Sequence, residues 1–190
     1  MASLRSIPNL SSFVACTFVG AVLLAGGQAD DEVPKTAPAI DKSPERVSVD
    51  EARGRAKLLH EVIRGALQVV HRDFFDPDNR DRIPSASLED MFEVVKEEQG
   101  VGLKWLGVNA KIMDADHKAE GEFETKAVAA LAGGAPEFEA VEGDRFRYVG
   151  PIRLHNTCLK CHVPHRTSLE TRLAGLSITV PIERDGGAED

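Results

Sequence analysis

Cysteine is scarce: three residues in a chain of 190, one of them, Cys16, inside an apolar N-terminal stretch. Long apolar runs are missing as well. The longest, Phe13 to Ala25, is shorter than the ~20 residues that a spanning helix needs. The chain has no cluster of Lys or Arg and carries a net charge of −8, which argues against nucleic acid as a partner. Methionine is rare, and none follows Met113. No internal repeat is visible. What remains is the composition of an ordinary globular protein, with a chain long enough for one domain and a buried core.

The N-terminus reads as a leader. In residues 1–29, Arg5 supplies the positive end, Phe13 to Ala25 the apolar middle and Gly27-Gln28-Ala29 a small-residue cleavage site ahead of Asp30-Asp31-Glu32. An uncleaved membrane anchor is the alternative and the one route to a membrane. Either way the reading is a bacterial periplasmic or secreted protein. Cleavage would remove Cys16 and leave Cys158 and Cys161 as the only thiols, with no third cysteine for mispairing. Residues 30–47, polar and proline-containing, read as a flexible tether. A domain is expected over 48–182, and an acidic tail over 183–190.

Those two cysteines stand in Cys158-Leu159-Lys160-Cys161-His162. C-x-x-C-H is the signature of covalent haem c attachment: each thiol forms a thioether to a vinyl group, and the histidine becomes the proximal iron ligand. Two intervening residues let one backbone turn set both sulfurs along one porphyrin edge. Export agrees with this, because bacteria make the thioethers outside the cytoplasm. Two other chemistries compete. A thioredoxin-like dithiol would need a strand-to-helix turn in a βαβ unit, and a zinc site would need His155 or His165 to join the two thiols.

The rest of the chain reads as α+β. Ser48 and Glu51 form a capping box for a long helix with the apolar stripe Leu59, Ile63, Ala66, Leu67, Val70 and Phe74, ended by Asp76-Pro77. His60 and His71, 11 positions apart, border one side of that stripe. Residues 76–81 superficially resemble a calcium loop but lack its glycine and its bidentate glutamate, so they read as an acidic turn. Ser87 caps a second helix to about Gln99, stopped by Gly100. Val101 to Val108 is a strand, 111–117 a loop, and Glu120 to Leu131 a helix. Phe138 to Val141 and Phe146 to Leu154 form a hairpin about Glu142-Gly143-Asp144. The attachment motif then lies in a loop, and Leu176 to Ile182 is a closing strand. Helices segregated from a mostly antiparallel sheet make an α+β domain.

A six-coordinate haem c needs a distal ligand, normally Met or His. With no methionine beyond Met113, the small all-helical cytochrome c fold is excluded, and His165 is too near His162 to cross the ring. The candidates are His71, His60, His117, Met113 and His155, with an open site as the alternative. His71 is preferred, being followed by Phe74 and Phe75, which could cover a porphyrin face. Arg166, Arg172 and Lys160 are candidates for the haem propionates.

The segments LLHEVIRGALQVVHRDFF (58–75), IPSASLEDMF (83–92), LKWLGVNAKIMDADHKAEGEFETKAV (103–128) and CLKCHVPHRTS (158–168) make the chain resemble a family: the secreted single-haem c-type proteins with a PAS-like domain, of cyanobacterial and planctomycete type. The resemblance covers about residues 48–182 and implies a PAS-like fold with one covalent haem, held by Cys158, Cys161 and His162. Distal ligation varies in that family. Three functions are then in view. One-electron transfer to a redox partner comes first, a redox or gas sensor acting through a partner protein second, and a haem enzyme third. No catalytic residue is assigned.

Overall fold

The computed structural model describes residues 43–74 and 83–184. The leader, the turn at 76–81, Phe75 and the last residues of the acidic tail lie outside the described residues. Helix α1 spans Val49–Phe74, and Ser48 Oγ accepts from the Glu51 amide at 3.3 Å, as a capping serine should. Helix α2 spans Pro84–Gln99, one turn earlier than a start at Ser87. The reason is Pro84, whose fixed φ suits the first helical turn and whose missing N–H costs nothing there. Gly100 closes α2 in the left-handed conformation, its amide bonded to the Lys96 carbonyl.

Four strands follow: β1 (Gly102–Gly107), β2 (Phe138–Glu142), β3 (Arg145–Arg153) and β4 (Leu173–Pro181). They form one antiparallel sheet in the order β1-β4-β3-β2. The strand expected to close the sheet is thus longer than Leu176 to Ile182 and lies inside it. Its two faces explain why: Leu176, Ile178 and Val180 are buried on one side and Ser177 on the other, as an inner strand requires. The β2–β3 hairpin turns at Gly143, whose φ of 62° is the left-handed value such a turn needs. A 3-10 turn at Ala115–His117 and helix α3 (Gly121–Ala132) connect β1 to β2, and a fourth helix, α4 (Asn156–His162), connects β3 to β4. The class is α+β, with a long N-terminal helix and an antiparallel sheet.

Helices α1 and α2 cover one face of the sheet. Ala52, Ala56, His60 and Ile63 of α1 and Phe92 of α2 enclose Trp105, Phe146, Tyr148, Ile152, Leu176 and Ile178. The buried stripe of α1 therefore begins about two turns earlier than the apolar pattern suggests, and it includes a histidine. Phe74, expected in the stripe, is 77% exposed. Val47, the last residue of the stretch read as a tether, is buried and bridged to Ile182.

On the opposite face α3 packs Phe123, Ala127 and Leu131 against Leu106 and Val149. Glu124 comes with them, 6% exposed. A carboxylate this deep is tolerable only with charged partners. It accepts from Lys104 Nζ at 3.0 Å, Arg147 Nη2 at 3.4 Å and the Glu120 amide at 2.9 Å. Glu124→Ala would strand two cations against the sheet. We expect a loss of about 3 kcal/mol, the low end for breaking a buried pair because both cations keep some access to water. Glu122→Ala on the exposed side of α3 should cost less than about 0.5 kcal/mol, and urea unfolding of the two variants compares them.

Candidate functional site

The attachment motif lies in α4, a two-turn helix, where a loop was expected. The His155 carbonyl starts that helix, accepting from the Cys158 and Leu159 amides at 2.9 and 3.1 Å. Leu159 is the inward anchor, 8% exposed, and it leaves Cys158, Cys161 and His162 half-buried on the remaining surface. The thiols are free. Three positions apart on a helix, they face the same side.

His162 is gripped by Lys111, a residue with no signal in the sequence because only its backbone acts. The Lys111 amide donates to the His162 carbonyl at 3.0 Å, and the Lys111 carbonyl stands 3.1 Å from His162 Nδ1. A carbonyl only accepts, so Nδ1 carries the proton and Nε2 is left with its lone pair available. This is how a metal-binding histidine is usually oriented from behind. The grip is itself anchored by Asn109, whose side chain takes the Leu173 amide at 2.7 Å and gives to the Thr171 carbonyl at 3.2 Å. Leu154 donates to the Arg172 carbonyl at 2.9 Å, closing the β3–β4 excursion that carries α4.

The other histidines divide clearly. His71, in the last turn of α1, is close enough to His162 for the two charges to repel. Burial lowers its proton affinity first, and His162 lowers it further. His60 is 4% exposed, set edge-on to Tyr148 with ring centroids 5.8 Å apart. His117 Nε2 is committed to Glu89 at 2.7 Å. Met113 is 54% exposed, and His155 and His165 are exposed, His155 at the start of α4.

Two cavities flank α4. One of about 460 Å³ is lined by Arg153, His155, Leu159, Arg166 and Arg172, among others. The second, about 420 Å³, lies between α1 and β3 and is bordered by His60, Arg64, Gln68, Tyr148, Arg153 and His155. Of the residues expected to meet propionates, Lys160 is exposed, and Arg166 Nε donates to the Ser168 carbonyl at 2.7 Å. Arg172 turns inward to the Asn109 carbonyl at 2.9 Å and to Ser168 Oγ at 3.2 Å. Among the described residues no three His, Cys, Asp or Glu converge as a bare metal ion would require, so the zinc set is not assembled. The antiparallel β3–β4 pair likewise offers no βαβ setting for a thioredoxin-like dithiol.

The model of the Tll0287-like family matches residues 45–176, a span that includes α1, strands β1 to β3, all of α4 and the start of β4. The chain belongs to the Tll0287-like family. Its fold is similar to that in the crystal structure of the cyanobacterial heme-protein Tll0287, with a TM-score of 0.50 and 13% identity over 72% of this chain and 96% of that one. At that identity the likeness is one of fold. No curated protein matches the chain.

The two inward histidines make stability depend on pH. Burial, the largest cause, holds both His60 and His71 below the ordinary value of 6.5, although Glu61 pulls His60 back up. Between those depressed values and 6.5 the unfolded chain binds more protons than the folded one, so stability rises with pH through that window. We expect the urea midpoint of the haem-free protein to hold above about pH 6.5 and to fall as the pH is lowered below it. His60→Gln should flatten part of that fall.

Proposed function

We propose that this Tll0287-like protein is a monohaem c-type cytochrome that carries single electrons. The observation that carries the reading is the arrangement of α4: two free thiols on one side of a short helix, followed by an imidazole whose Nδ1 is held by the Lys111 carbonyl. The donor set fits a covalently held haem. Cys158 and Cys161 would take the two vinyl groups and His162 Nε2 the proximal iron position. His71 is the residue we assign to the distal position, because it stands in the last turn of α1, partly buried and near enough to His162 to feel its charge. Bound in this way, haem supplies a one-electron couple between ferric and ferrous iron.

The chain's own residues then have separate tasks. The thiols fix the porphyrin edge, and Lys111 keeps His162 in one tautomer. α1 carries His71 and α4 carries His162, so the two residues that would hold the iron come from different elements of the fold. With His162 and His71 both held to the iron, no position would be left for a gas or a substrate, which favours electron transfer over gas sensing and over catalysis. The likeness to a solved heme-protein and the leader read in residues 1–29 support a haem protein matured in the periplasm or secreted.

The test is an optical spectrum of protein matured with haem, oxidised and reduced, followed by carbon monoxide. Sharp low-spin bands that ignore the gas are expected. A high-spin iron that takes up the gas would put sensing first, and protein lacking covalent haem would end the cytochrome reading. His71→Ala should convert the low-spin iron to a high-spin, gas-binding one, while His162→Ala should keep the haem attached but alter the iron spectrum. Unchanged bands in either variant would remove that histidine from its position.

A further inference from the structure

Gly150 sits in the middle of β3, where glycine ordinarily weakens a strand and needs a reason. Its backbone does not supply one: the glycines with positive φ are Gly100, Gly121, Gly134 and Gly143. The reason lies across the core. A Cβ at position 150 would overlap three atoms of the His60 ring, with Cε1 at 2.8 Å and Cδ2 and Nε2 closer still. The imidazole therefore lies directly on the β3 backbone. Tyr148 meets it edge-on, Glu61 stands 3.3 Å from Nδ1, and the side chain is 5% exposed, with the cavity between α1 and β3 along its border.

His60 is also in register with His71. Eleven residues advance an α-helix by three turns plus about 20°, and by roughly 16 Å. The two imidazoles therefore leave α1 on the same side, and that of His60 meets the sheet. Ahead of His60, α1 approaches the sheet through Ala52 and Ala56, both fully buried. The last fully buried residue of the helix is Ile63, so its final turns project from this seat.

We propose that Gly150 is a positioning residue for the distal haem ligand: by letting the His60 ring rest on the β3 backbone, it sets the depth and rotation of α1 and so aims His71 at His162. The inference rests on the proposed cytochrome reading. A methyl group at 150 displaces the His60 ring, α1 lifts or turns with it, and a rigid helix passes that displacement on to residue 71. Removing the ring leaves a gap into which the helix can settle, and it too should misplace His71. The two changes act in opposite directions.

The experiment uses the full chain matured with haem, in four forms: parent, Gly150→Ala, His60→Ala and the double variant, with Gly65→Ala as a control because a Cβ there meets nothing within 4 Å. The readouts are covalent haem content, low-spin fraction and carbon monoxide binding. We expect full covalent haem throughout and parent-like spectra for Gly65→Ala. Each single variant should lose at least half of its low-spin signal and gain gas binding, and the double variant should recover most of the low-spin signal. Low-spin bands lost with His71→Ala but kept with Gly150→Ala would overturn the inference alone. Bands indifferent to both would overturn the His71 assignment and the inference with it. If Gly150→Ala does not fold, His60→Ala decides, and a parent-like spectrum there overturns the proposal.

Discussion

The pairing of β3 with β4, unbroken from Arg145↔Pro181 to Arg153↔Leu173, is the constraint on which the rest depends. These two strands are the inner pair of the sheet, and the segment between them carries both thiols and His162. A ladder this long closes the excursion tightly. The Leu154–Arg172 and Asn109–Leu173 hydrogen bonds extend the closure past the last strand residues, so α4 sits at the sheet's end with little freedom to drift. An attachment motif on an open loop would pay a large ordering cost when two sulfurs and an imidazole had to meet one planar group. Here most of that order is present in the chain alone.

The two faces of the sheet solve different problems. On the α3 side a buried carboxylate is matched by Lys104, Arg147 and a backbone amide, and the arrangement is structural. On the α1 side a buried histidine has a glycine beneath it and an aromatic edge beside it. That second solution is unusual for a core, because Ala or Leu would fill the site at lower desolvation cost. A flat ring pressed onto bare backbone gives a defined depth where an aliphatic side chain would tolerate sliding. It couples the position of α1 to a single strand.

Much of this was legible in the residues. The capping serine before α1, the stop at Gly100 and the hairpin at Gly143 each have a local cause, and local causes survive folding. The order of the strands had no local cause: Leu176 to Ile182 reads as a closing strand, and only its pairing with both β1 and β3 puts it inside the sheet. The helical state of α4 was also hidden, since its seven residues carry no apolar period and depend on Leu159 finding the core. His60 looked like a polar border residue because nothing in α1 announces a glycine 90 positions later. Lys111 could not be found at all, as its contribution is a carbonyl that every residue possesses.

The chain enters the domain at Val47 and leaves it at Ile182, side by side: the two are bridged, the Glu183 amide donates to the Val47 carbonyl, and Arg46 pairs with Asp144 nearby. Ile182 follows the last residue of β4, and α4 lies by its first. A nine-residue strand is about 30 Å long. Cys158 and His162 therefore lie about a strand's length from the place where the chain enters and leaves the domain.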